Sequence, residues 1–282
     1  MRSLAIAARV TKLQLVKGMC QAKIWIALLF VPLILWPALN PIKRMAIDVG
    51  ESVSIMGIVF IFSDINNSAL STMFSIGVVI LFSDAPFADA TQQQCLMRVS
   101  GREWISAQIM YILCLSAIYV LYWIVSAVII LMPVVSLSLE WDAVWRTLAH
   151  TNAGAQYGIT LDLSVALIRA YDPWQSFAIS IALKIAICLM FGNLCFATSL
   201  WTKTNAGIYV CLAIVMQDYM AMNGLGFSYI KFAPQTMSRL IMLDPIGTGM
   251  KPTPAFALTV LLSISVIFAF TSYLARKNRL PE

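Results

Sequence analysis

The chain has 282 residues, 60% of them hydrophobic and only 11% charged, with a mean hydropathy of +0.84 and a formal charge of +6. About a quarter of the residues in an ordinary soluble domain are charged, so this composition excludes a water-soluble globule. The basic excess does not mark a nucleic-acid binder either: the Lys and Arg residues flank hydrophobic runs instead of forming one patch, and such flanks set orientation in a membrane.

Long uncharged apolar runs recur along the chain without any period-two alternation. Runs of that kind are spanning helices, since a transmembrane barrel would alternate. The expected fold is an all-α polytopic membrane protein, one transmembrane domain over residues 1–282. Residues 1–23 mix Arg2, Arg9, Lys12, Lys17 and Lys23 with apolar positions and suit an interfacial helix. Its stripe is ragged, with Leu4 and Leu15 opposing Ile6, Val10 and Leu13. The first span is expected at 24–39; the long basic segment before it and the lack of a small-x-small site after it point to an uncleaved span. The second lies within 53–82, the third at 107–133, the fourth at 176–200, the fifth at 206–223 and the sixth at 254–275.

With both termini inside, eleven Lys and Arg face the cytoplasm, counting Arg98, Arg102 and Lys203, and seven lie outside. The outer loops also hold seven acids and the inner segments four. The positive-inside bias therefore puts both ends in the cytoplasm, which requires an even number of spans. Residues 83–106 become a cytoplasmic connector, and 136–175 and 224–252 become outer loops. In the first of these, Trp141, Val144, Trp145 and Leu148 fall at helical spacing and suit a helix lying in the interface. LDLSVALIRAY (161–171) supplies another short apolar helix before Asp172-Pro173, and PQTMSRLIMLDP precedes Asp244-Pro245 in the second loop.

Asp64, Lys184 and Asp218 fall inside spans, where each costs about 2.5–3.5 kcal/mol at mid-bilayer and needs a partner, water or a role. At 1.5 Å per residue, Asp64 and Lys184 lie at similar depths, roughly 16 and 12 Å from their outer ends. A Lys184–Asp64 pair is the expected arrangement. Asp218, nearer the outer surface, is within reach of a snorkelling Lys184. The second span also reads SDINNS at 63–68. Asp64, Asn66, Asn67 and Ser68 belong either to a buried polar bend in a broken helix or to a polar path for substrate.

Catalysis has little to work with. His150 is the only histidine, which excludes histidine-rich zinc sites and HExxH peptidases. GTGMKPT (247–253) lacks the GxxxxGK[ST] spacing of a phosphate-binding loop. Asp64 and Asp218 sit in no recognisable protease motif, and their depths differ. The six cysteines fall in spans or short flanks and read as packing residues without disulfides. No catalytic site, metal site or cofactor is expected in this chain.

The connector is the remaining oddity. QQQCLMRVSGREWISAQ (92–108) places Gln94, Arg98, Gly101, Arg102 and Trp104 between two strongly apolar runs. APFADATQQQCLMRVSGREWISAQIMYI (85–112) resembles the corresponding segment of ABC transporter permease subunits of the type-two exporter family, in the form found in Gram-positive bacteria. There a Pro-Phe follows the second span, and an Arg-x-x-Gly-Arg-x-x-Trp-like run leads into the third. Here that run is Arg98, Gly101, Arg102 and, one position early, Trp104. LAHTNAGAQYG (148–158) is similar to an outer segment of such members.

The resemblance implies a six-span permease domain in a bacterial cell membrane, paired with a second permease and served by separate ATPase subunits that bind ATP and magnesium. It implies alternating access, and a coupling role for Gln94, Arg98, Gly101, Arg102 and Trp104, with Trp104 anchored at the lipid interface. The rivals are a non-transporting accessory or sensor protein, and an ion-coupled carrier using Asp64, Lys184 and Asp218.

Overall fold

The computed structural model describes residues 2–63, 68–85, 99–161, 163–220, 233–244 and 251–279. Helix α1 (Arg2–Met19) leads into α2 (Ala22–Val49), whose Pro32, Pro37 and Pro41 remain inside the helix. Proline is tolerated in spanning helices because neighbouring groups re-satisfy the freed carbonyls. The helix therefore runs ten residues past the expected end, to Gly50 in a left-handed conformation (φ 74°). A two-residue strand β1 (Val53–Ser54) and a 3₁₀ turn (Ile55–Gly57) precede α3 (Ile58–Ser63) and α4 (Ser68–Leu81).

Helix α5 (Gly101–Leu131) begins six residues before the expected span. Ser100 accepts from the Glu103 amide, and the Glu103 carboxylate accepts from the Ser100 amide. This reciprocal cap starts the helix inside the expected connector. Strand β2 (Val135–Ser136) pairs in parallel with β1. Three short helices follow: α6 (Ala143–His150), α7 (Ala153–Gln156) and α8 (Val165–Ala170). Asp172-Pro173 then opens α9 (Pro173–Thr202), with proline in the first turn, where its missing N–H costs nothing. Helix α10 (Ala206–Met220), the single turn α11 (Pro234–Met237), a 3₁₀ turn (Leu240–Met242) and α12 (Pro254–Arg279) complete the chain.

Among the described residues, α2, α5, α9 and α12 are long and apolar enough to cross a membrane; α4 and α10 are apolar but shorter. This is an all-α, multi-pass membrane protein. Helix α9 is the centre, the most buried of the four. Its Asn193 amide donates to Ser265 of α12 at 2.8 Å. Outward faces are aliphatic and aromatic, for example Leu113, Ile118, Leu121, Val125 and Ile129 on α5.

The α9–α10 crossing is close. A Cβ on Gly207 would lie 2.7 Å from the Cys195 carbonyl oxygen and 2.8 Å from its Cα, and the Cys195 and Cys211 sulfurs sit 3.3 Å apart.

The two ends of the bundle differ. At the basal end, Thr11 of α1 donates to the Ala107 carbonyl at 3.0 Å, and Ser106 and Tyr273 share a 2.5 Å hydrogen bond. Lys23 forms an ion pair with Asp84 there. At the opposite, distal end, the Trp145 indole donates to the Ser54 carbonyl at 3.0 Å. The Phe60 ring lies 5.5 Å from both Trp141 and Trp145. The tryptophan stripe is thus helical as expected, but it faces protein: Trp145 is wholly buried and Val144, Leu148 and Trp141 nearly so. A lipid-facing and a core-facing stripe have the same apolar periodicity, and here Ser54, Gly57 and Phe60 supply the partners.

Gly57 lets that indole approach: a Cβ there would fall 1.9 Å from Trp145 Cε2. Gly57→Ala should destabilise the protein by about 1–3 kcal/mol, the usual cost of overpacking, read as a lower Tm in detergent. Trp145→Leu in the same chain should recover part of that loss.

Candidate functional site

The polar groups of the membrane interior converge on the segment 233–244. Charged loop residues ordinarily stay in water, but here Gln235, Thr236, Ser238 and Arg239 are all buried, as are Met237, Leu240, Met242 and Leu243. Its irregular backbone sits against α3, α9, α10 and α12, and non-helical backbone at membrane depth is tolerated when it is buried in protein.

The segment is held by charge. Arg239 donates from Nη2 to an Asp218 carboxylate oxygen at 2.6 Å, and both side chains are 0% exposed. The Thr236 hydroxyl donates to the other oxygen. Asp218 is therefore answered on both oxygens by the segment, not by Lys184. Arg239 falls in the expected outer loop 224–252; burial of the segment brings it to the carboxylate.

Lys184 is 1% exposed. Its ammonium donates to the Ser238 hydroxyl at 3.2 Å and lies 5.1 Å over the Phe74 ring. Phe74 belongs to an aromatic group with Phe62, Tyr119 and Trp123, the Phe74 and Trp123 centroids being 5.2 Å apart. Ser238 in turn donates to the Gln235 carbonyl at 2.7 Å. Asp64, Asn66 and Asn67 lie outside the described residues, so the expected Lys184–Asp64 pair does too; Ser68 opens α4.

Gln94 and Arg98 of the connector also lie outside the described residues. Gly101 and Arg102 form the first turn of α5, with Arg102 exposed. Trp104 is 2% exposed and packs on Phe196 at 5.8 Å. It anchors α5 inside the bundle, not at the lipid interface, because α5 starts early enough to turn that position inward. No group of three or more His, Cys, Asp or Glu side chains gathers among the described residues.

Removing one partner of a buried ion pair leaves the other uncompensated, a loss of about 3–5 kcal/mol. Asp218→Asn or Arg239→Met alone should each lower stability by that order in thermal unfolding followed by tryptophan fluorescence. The double variant Asp218→Leu/Arg239→Met should recover most of it; additive losses would show that the two side chains act separately. In comparison with known proteins, the chain matches no family model, no curated protein and no solved structure.

Proposed function

We propose that this chain is the permease subunit of an ATP-driven ABC exporter in a bacterial cell membrane, with six spans and both termini in the cytoplasm. The second span would comprise α3 and α4, and the fifth α10. Alternating access would be driven by a separate ATPase, and a second permease subunit would complete the path. Residues 85–112 carry the resemblance on which this reading rests.

One structural observation supports it above the others. The first turns of α5 present Arg102 to solvent while being fastened to two other elements. Ser100 and Glu103 cap the turn, Ala107 accepts from Thr11 of α1, and Ser106 is bonded to Tyr273 of α12. Trp104, buried against Phe196, adds a contact to α9. A force applied at Arg102 is thereby delivered to α1, α9 and α12 together, which is what a permease lacking its own nucleotide site requires. Arginine suits that place, since its planar fork pairs with carboxylates in two-point geometry. The carrier reading finds less support: the Asp218 carboxylate is already occupied by Arg239 and Thr236.

Affinity purification of the tagged chain from its membrane should recover an ATPase with a phosphate-binding loop. Charge reversal of both Arg98 and Arg102 to Glu should lower that recovery by about tenfold, in line with the loss of contact charge pairs, while leaving Tm unchanged. Full recovery with the double variant would remove the coupling role.

A further inference from the structure

Lys184 is a fully buried cation for which the protein supplies no anion among its described residues. The Asp218 carboxylate is taken by Arg239 and Thr236, and the two ion pairs found there are Lys23–Asp84 and Arg239–Asp218. Arg239 thus takes the Asp218 carboxylate, and no ion pair between described residues includes Lys184, at a depth where charge is costly unless paired. Ser238 offers Lys184 a neutral hydroxyl and Phe74 the face of a ring; neither neutralises it.

The surroundings repeat the imbalance with donors. Gln235, 0% exposed and in the same turn as Ser238, has no partner for either amide atom among the described residues. Ser180 lies one turn before Lys184 on the same face of α9, and Ser71 one turn before Phe74 on α4; both hydroxyls are buried without a partner among the described residues. Buried polar groups are nearly always hydrogen-bonded. The lysine ammonium, the Gln235 Nε2 and the two hydroxyls can all donate to one complement: an acceptor carrying negative charge.

The geometry points to Lys184, with Ser238, Gln235 and Ser180, as a recognition site for the anionic head, carboxylate or phosphate, of an amphipathic substrate. This deepens the exporter reading and rests on it. The aromatic group of Phe62, Phe74 and Trp123 on the other side of the ammonium suits the apolar part of such a molecule. Because Lys184 is closed off, the head reaches it only when segment 233–244 moves outward. When the segment returns, Ser238 and Gln235 donate to the bound head beside the ammonium.

The test uses the full chain in phosphatidylcholine nanodiscs and calorimetric titration with octanoate, octyl phosphate, inorganic phosphate, octanol and octyltrimethylammonium. Octanoate or octyl phosphate should bind at least tenfold more tightly than octanol and octyltrimethylammonium. Inorganic phosphate binding as well as octyl phosphate would assign the site to a free anion and retire the amphipathic substrate. Lys184→Met should abolish the preference for anions with Tm no lower than that of the unsubstituted chain, since it removes an unpaired buried charge. Gln235→Leu should weaken anion binding several-fold with the preference retained. The proposal is overturned if no anion binds, if octanol binds equally well, or if Lys184→Met keeps the anion preference. Recovery of the ATPase partner is read separately and does not depend on Lys184. Loss of the anion site would leave the exporter reading standing, and loss of the partner would remove that reading whatever the titration shows.

Discussion

Nothing in a hydrocarbon layer answers a charge except another part of the protein, and the distal half of this molecule is arranged around that fact. Asp218 sits on the apolar helix α10, wholly buried, and its carboxylate has to be met there. Arg239 and Thr236 meet it from a segment that would otherwise be a loop at the surface. The ion pair therefore does more than neutralise two side chains. It draws irregular backbone into the bundle, and that backbone closes the space between α3, α9, α10 and α12. Removing it would open a polar gap, because Gln235, Ser238 and Lys184 would all lose their cover at once.

The basal half follows a different principle. Its contacts are single hydrogen bonds between helices and a partly exposed ion pair between Lys23 and Asp84, a class worth little in stability. What they contribute is geometry. They join the amphipathic first helix, the start of α5 and the end of α12 into one surface on which Arg102 stands exposed. The two ends are linked through α9, whose residues touch Trp104 near one end and Ser238 near the other. Reception of force and handling of a polar group are thus placed on one long helix about 45 Å from end to end.

Much of this was legible beforehand. Uncharged runs marked the long helices, and for α9 the expected limits lie within three residues of those found. The capping pair Ser100 and Glu103 was present in the letters, but the apolar run after it drew the expected start to 107. Helix α2 runs ten residues past the expected span because the apolar run ends before Lys43 and Arg44 while the helix, with Pro41 inside it, does not. The greater misses concern which way an apolar or charged residue faces. Trp145 and Leu148 keep helical spacing whether they meet lipid or protein, and for Trp145 the contacts with Ser54, Gly57 and Phe60 decide between them. Arg239 reads as a loop charge until the segment around it is seen to fold inward. Such pairings depend on contacts between residues 21 apart across a turn of the chain, which local pattern does not encode.

The tight crossing of α9 and α10 at Gly207 has a bearing on how the molecule can change shape. With Gly207 against the Cys195 backbone and the two sulfurs 3.3 Å apart, these helices are in backbone contact and have little room to slide past each other. The pair also carries both charged anchors of segment 233–244, Lys184 on one helix and Asp218 on the other. The Phe74 ring and the Lys184 ammonium meet where α9 packs on α4. A ring and a cation part more readily than an ion pair does, so this contact ties α9 to α4 less firmly than Arg239 ties the segment to α10.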